Sequence, residues 1–352
     1  MTQALGDVEL LTEQDRASWD AYVRDHDRAI LFHSTRWKTA IEATYGHRGY
    51  YLFLKEGERI AGILPLFLVD SRLLGRALVA LPFAGTQPSV CTDNRRGETR
   101  LVGRAAALAE ELGAGYVEFR EDEEKPWDFP VRRSYVNVQL PLSADPEALW
   151  RERVDSRVRT KVRAARNCGL RVEWAGGDDG DAVNAFFRLY AETMHRLGSP
   201  PHSKALFQNV AEAFAGETQI VLVMDGEDPV AGAFMMYDGR WVGFPWAASL
   251  TQARAKHPNN LLYWAIIEWA CERGYKTLDL GRSPAGSGPA HFKTQWGGVA
   301  RPLSYYYALS GASKPPGRDG TDPAMVLASR IWRRLPRSVA NWAGPSLARL
   351  IP

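Results

Sequence analysis

Cysteine is scarce in this 352-residue chain: Cys91, Cys168 and Cys271 are its only copies, and they stand far apart. Odd in number and without CxxC or Cys/His spacing, they argue against a disulfide framework or a zinc site. Cys271 falls on an apolar helix face and reads as a buried thiol. No run approaches the ~20 apolar residues of a membrane span. The opening Met1–Asp7 has no basic start followed by an apolar stretch, so a cytoplasmic protein is expected. A net charge of +3 is too small to diagnose nucleic-acid binding by itself. G-x-S-x-G and Cys/His nucleophile patterns are missing too, which argues against a covalent acyl-enzyme.

What is present is length and a repeat. A chain of 352 residues exceeds what one core usually spans, so two domains are expected. Tyr50–Leu54, a polar turn with Gly57, and Ile60–Leu68 read as strand, turn, strand. Gln219–Met224, a turn with Gly226, and Val230–Tyr237 repeat that pattern. Each hairpin is followed by a helix, a glycine and a strand: Leu101–Leu112, Gly113 and Tyr116–Arg120, then Asn260–Arg273, Gly274 and Thr277–Gly281. Leu261, Leu262, Ala265, Ile266, Trp269 and Ala270 lie on one stripe of the second helix, with Asn259 or Asn260 as its expected N-cap. The breaks predict domains at 1–143 and 144–310 and a linker with a basic amphipathic tail at 311–352.

This order resembles the core of GNAT acyltransferases, and two copies in one chain resemble the FemAB-like group, whose members transfer an amino acid from aminoacyl-tRNA to an amine. The resemblance rests on several segments. Phe32-His33-Ser34-Thr35-Arg36-Trp37 looks like the family's F-x-S-x-x-W opening. Asp155–Ala165 followed by Gly169-Leu170 resembles the basic helix that starts the second domain, and Met194-His195-Arg196-Leu197-Gly198-Ser199-Pro200-Pro201 resembles an R-x-L-G-T-P segment. Asp279-Leu280-Gly281-Arg282-Ser283 through Phe292-Lys293-Thr294-Gln295-Trp296-Gly297 looks like D-F-G-R-S…F-K-x-x-W-G. Within the group the likeness is to FemAB-like proteins associated with exosortase and exopolysaccharide systems. It implies an α/β fold of mixed sheets: two tandem GNAT-like domains and a helical tail. One departure concerns the acyl donor. Gln252–Asn260 contains no glycine, and Pro258 removes an amide, where CoA-dependent domains use a glycine-rich turn to hold pyrophosphate. Aminoacyl-tRNA as co-substrate, with no cofactor or metal, is therefore the expectation.

Amide formation from an activated ester needs the amine's proton removed, the oxyanion stabilised and the reactants aligned. Asp279, on the strand after the central helix, is the candidate proton acceptor or acceptor-orienting group, and Lys293 the candidate catalytic cation. Arg282, Ser283, His291, Trp296, Trp37, Asn259 and Tyr237 are candidate substrate contacts, while Trp246 and Tyr237 lie on strands able to line a cleft but read first as core packing. His33 is a weak polar candidate, and His202, beside Pro200 and Pro201, reads as a loop histidine. Val158, Val162 and Ala165 form a buried stripe that leaves Arg157, Arg159, Lys161, Arg163 and Arg166 for a polyanion such as a tRNA acceptor stem. Beyond Asp322 the chain has Arg330, Arg333, Arg334, Arg337 and Arg349 and no acid, interleaved with Ile331, Trp332, Leu335, Val339 and Trp342. That pattern fits peripheral contact with the inner face of a membrane as well as packing on the body of a monomer. Two other readings remain open: an N-acyltransferase using acyl-CoA or a carrier-protein thioester, and a non-catalytic binding module in envelope polysaccharide assembly.

Overall fold

The computed structural model describes residues 6–71, 75–84, 88–311, 314–315 and 323–351. Residues 1–5 and most of the expected linker, 312–313 and 316–322, lie outside the described residues. The chain divides into two compact units, with breaks at Ser134/Tyr135 and Arg301/Pro302, and the C-terminal helices up to Arg349 go with the second unit. These breaks differ from boundaries at 143 and 310 for two reasons. The strand after Arg301 pairs inside the first unit, and the C-terminal helices pack on the second.

The first unit holds β1 (Val8–Leu10), α1 (Arg16–Asp25), α2 (Thr35–Tyr45), β2 (Gly49–Glu56), β3 (Arg59–Ser71), β4 (Gly75–Ala80), β5 (Cys91–Thr92), α3 (Arg95–Glu111) and β6 (Tyr116–Glu121). After β7 (Val131–Pro141) come α4 (Pro146–Glu152), α5 (Ser156–Asn167), β8 (Arg171–Gly176), α6 (Gly180–Leu197) and α7 (Lys204–Ala213). The second unit continues with β9 (Thr218–Asp225), β10 (Asp228–Tyr237), β11 (Val242–Ser249), α8 (Pro258–Glu272), β12 (Thr277–Pro284) and α9 (Gly288–Thr294). The chain closes with β13 (Val299–Leu309), α10 (Pro323–Trp332) and α11 (Arg337–Ala348).

Within the first unit the strands pair in the order β1-β2-β3-β4-β6-β13, with β5 on β3; within the second the order is β7-β12-β11-β10-β9-β8. Only β4–β6 and β11–β12 are parallel among these pairs. The expected repeat is thus present as β2–β3, α3, β6 and as β9–β10, α8, β12. Gly113 (φ 64°) and Gly274 (φ 77°) end the two central helices in the left-handed region that favours glycine.

α8 is more enclosed than its sequence stripe suggests. Trp264, Ile267 and Cys271 are buried as well as Leu261, Leu262 and Ile266, because α5 covers the side of α8 that faces away from the strands. Val158, Val162 and Ala165 supply the α5 side of that contact, and Trp150 of α4 meets Trp264 at 4.3 Å. The N-cap of α8 is His257 (φ 56°, ψ 43°), not Asn259 or Asn260, because Pro258 takes the first helical position, where its missing N–H costs nothing. Leu262 is 0% exposed, so Leu262→Ala is expected to destabilise the fold by about 3 kcal/mol, read from urea unfolding.

Candidate active site

β11 and β12 are registered at a single pair, Gly243 with Asp279, although each strand has eight residues. They then part toward their carboxyl ends, and a crevice at that position is the usual ligand site of an α/β sheet. On its other side β12 pairs with β7, but the register slips between Asp279 and Arg282. Gly281 sits inside this bulge at φ 79°.

Three side-chain interactions hold the bulge. The Asp279 carboxylate accepts the Gly281 N–H at 2.7 Å. The Lys293 ammonium, reaching in from α9, donates to the carbonyls of Gly281 (2.9 Å) and Arg282 (3.0 Å). Arg282 is exposed and lies 5.2 Å over the ring of Tyr135. Lys293 is buried, and desolvation lowers its pKa to about 8; the neighbouring Asp279 charge opposes the shift and Arg282 adds to it.

An aromatic wall stands near Arg282. His202 stacks on Tyr190 (6.2 Å between ring centres) and meets Trp246 of β11 edge-on (6.5 Å). Burial, with Arg282 adding to it, pushes the His202 imidazole down to about 4, so it is neutral at physiological pH. Asn137 of β7 pairs in register with Arg282 and is 2% exposed, and its Oδ1 has no hydrogen-bond partner among the described residues. A buried acceptor left open beside a crevice is the kind of group that a ligand's N–H satisfies.

Three amides of the segment before α8, and one in its first turn, bond within the segment itself. The N–H groups of Arg254, Lys256, His257 and Asn260 donate to the carbonyls of Thr251, Ala253, Arg254 and His257 at 2.9–3.1 Å. Pro258 has no N–H to give.

The expected site residues are thus only partly brought together. Asp279, Arg282, Ser283 and Lys293 cluster at the bulge; Ser283 is 3% exposed. Trp296 is 0% exposed, stacked 5.9 Å from Tyr263, and belongs to the core rather than to a ligand wall. Trp37 is likewise 0% exposed, packed edge-on against Phe32 in the first unit, so it offers no surface to substrate. Tyr237 leans on Trp269 near the C-terminal end of α8. His291 is exposed on α9 with its Nε2 3.4 Å from Gln295, and Asn259 is half-buried in the first turn of α8. His33 is a structural residue: its Nε2 lies 2.8 Å from the Pro88 carbonyl.

The α5 cations have divided uses. One Arg159 nitrogen donates to the carbonyls of Trp150, Arg151 and Val154 (2.8–3.0 Å), tying α5 to the end of α4. Arg166 lies 3.7 Å from Glu268 and lines a separate groove of about 370 Å³ with Trp174 and Trp269. Arg163 sits 6.0 Å over Trp150, Arg157 is exposed and Lys161 half-buried. Sequence reading missed Asn137 and Tyr190, and passed over His202 although the R-L-G-S-P segment beside it was in view.

Residues 152–294 match the family model described as Acetyltransferase (GNAT) domain. This part of the chain is similar to GNAT acetyltransferase domains. The GNAT assignment agrees with solved structures of similar fold. FemX has a TM-score of 0.66 at 17% identity, over 86% of this chain and 98% of its own. L-PGS from Bacillus licheniformis has a TM-score of 0.56 at 14% identity, over 94% and 99%. A tandem GNAT protein from the clavulanic acid biosynthesis pathway has a TM-score of 0.54 at 13% identity, over 88% and 100%. These likenesses support a FemAB-like tandem GNAT fold. No curated protein matches the sequence. Among the described residues no group of three or more His, Cys, Asp and Glu could hold a metal ion, and no helix is long and apolar enough to cross a membrane.

Because Lys293 binds its proton less tightly when folded, the folded chain gains stability as pH rises from about 8 toward the ordinary lysine range. Urea unfolding between pH 7 and 10 should show this gain in wild type, on the order of 3 kcal/mol at most, and lose it in Lys293→Met.

Proposed function

We propose that the protein transfers an aminoacyl group from tRNA to an amine, forming an amide. The observation that carries the reading is the Asp279–Lys293 cluster beside the single β11–β12 bridge, together with a pre-α8 segment in which the Arg254, Lys256 and His257 amides bond within the segment. Pyrophosphate binding of the usual GNAT kind needs those amides free. The 3′ end of a charged tRNA makes no such demand.

In this reading Asp279 orients the amine and accepts its proton as nitrogen attacks the ester carbonyl. The C–N bond forms, the ester C–O bond breaks, and the ribose hydroxyl leaves with a proton. Charged Lys293 stabilises the negative charge that develops on the carbonyl oxygen. Arg282 binds a phosphate or carboxylate of the substrates, and the open Oδ1 of Asn137 receives an N–H of the acceptor. Arg157, Lys161 and Arg163 face the acceptor stem. The acceptor is an amine on a peptide, amino sugar or small molecule. The exosortase-type resemblance points to envelope or exopolysaccharide chemistry carried out by a monomer at the inner face of a membrane.

A thioester donor is the second reading, favoured by the acetyltransferase description of the matching family model. Charged tRNA incubated with candidate amines should give an amide product that is lost when the tRNA is digested with RNase first. Equal product after digestion, or tight CoA binding by calorimetry, would reject the tRNA donor. Asp279→Asn keeps an oxygen for the Gly281 N–H but loses the base, so kcat should fall about 10²- to 10⁴-fold with the fold intact. Wild-type kcat in this variant would remove Asp279 from the chemistry.

A further inference from the structure

Large apolar side chains on the surface concentrate at one place. Of the ten that are exposed among the described residues, Leu327, Ile331, Val339, Trp342 and Leu347 fall on two consecutive helices, α10 and α11. Trp342 is 83% exposed, Leu327 58% and Ile331 55%.

α11 is built with its sizes reversed. It buries Ala340, Gly344 and Ala348 and turns Val339, Trp342 and Leu347 outward. A soluble helix that needed only to cover its own domain would bury the tryptophan, the residue with most area to gain. The helix cannot roll to do so. A Cβ added at Gly344 would stand 2.5 Å from Pro201 Cδ, so that position admits only glycine, with alanines on either side of it in the buried stripe. Polar ties fix the pair of helices on α6: the Leu335 carbonyl lies 2.9 Å from His195 Nε2, and two Arg337 nitrogens donate to the Glu192 carboxylate at 3.2 Å each. The outward rings and branches are therefore held in place.

Charge says what meets them. Arg330, Arg333, Arg334 and Arg349 are exposed, Arg330 and Arg334 flank Ile331, and no acidic residue follows Asp322. A second copy of the same face would oppose arginine to arginine, which is unfavourable. We propose that the α10–α11 face docks on an anionic phospholipid surface, with Trp342, Leu327 and Ile331 entering the headgroup boundary and the arginines meeting lipid phosphates. Apolar area and cationic charge together are what stable interfacial binding requires. This contact deepens the membrane location in the proposed function, and its test needs neither donor nor acceptor, so the two can fail separately.

Flotation of the full chain with vesicles tests it. Capture is expected by vesicles of phosphatidylcholine mixed with phosphatidylglycerol, and not by phosphatidylcholine alone; added salt should weaken it. Trp342→Ala, and separately Arg330→Ala with Arg334→Ala, should each weaken capture about tenfold or more without changing the melting temperature, because all three side chains are exposed. Absence of capture by the mixed vesicles would overturn the proposal. So would capture that Trp342→Ala leaves unchanged, or a solution dimer by light scattering that Trp342→Ala dissolves.

Discussion

Where β11 leaves β12 after Gly243 and Asp279, the backbone of β12 loses its ladder partner, and every buried N–H and C=O there must find another. The site is the answer to that requirement. Asp279 takes the Gly281 N–H, and Lys293 takes the Gly281 and Arg282 carbonyls. The same two side chains that hold the bulge bring a carboxylate and an ammonium together there. Burial of the ammonium is tolerated because two carbonyls and a nearby carboxylate replace part of its water, while desolvation still lowers its proton affinity.

The first unit meets the same geometry with a different solution. β4 and β6 pair in parallel at Leu78–Val117 and Val79–Glu118 and then separate. Here the gap is occupied by the chain itself. The Ser89 N–H donates to the Arg120 carbonyl and the Arg120 N–H to the Ser89 hydroxyl, while the Glu121 carboxylate accepts the N–H groups of Ser89 and Val90. Glu118, which occupies the β6 position matching Asp279 on β12, is locked in a buried ion pair with Arg120 at 2.8 Å. One copy of the repeat thus leaves the strands unbridged beyond one pair, and the other bridges the gap with its own chain. At matching positions the duplicated sequence has placed a buried ion pair in one copy and a side-chain-held bulge in the other.

The repeat, the central helix and the motif from Asp279 to Lys293 were legible because their signals are local: hairpin glycines, a helical stripe and a contiguous run of residues. The roles of Trp37 and Trp296 were not, since a motif tryptophan looks the same in sequence whether it lines a cleft or fills a core. Asn137 was invisible because its meaning comes from a strand pairing with residues more than a hundred positions away. Arg159 was misread as free surface charge because its partners are backbone carbonyls, which no charge pattern reveals. The missing glycines of the pre-α8 loop were legible in the sequence, but its internal hydrogen bonds could be seen only in three dimensions.

Six residues of β13, Ser304 to Leu309, pair with β6 from Glu121 back to Tyr116. The first unit therefore takes one of its strands from near the end of the chain. A growing polypeptide emerges from the ribosome N-terminus first, so the earlier copy of the repeat remains short of a strand while the whole later copy is being made. The unit that begins first is completed last. Cutting the chain between the repeats would leave β6 with an unpaired edge, a template for pairing with other chains, instead of yielding two tidy halves.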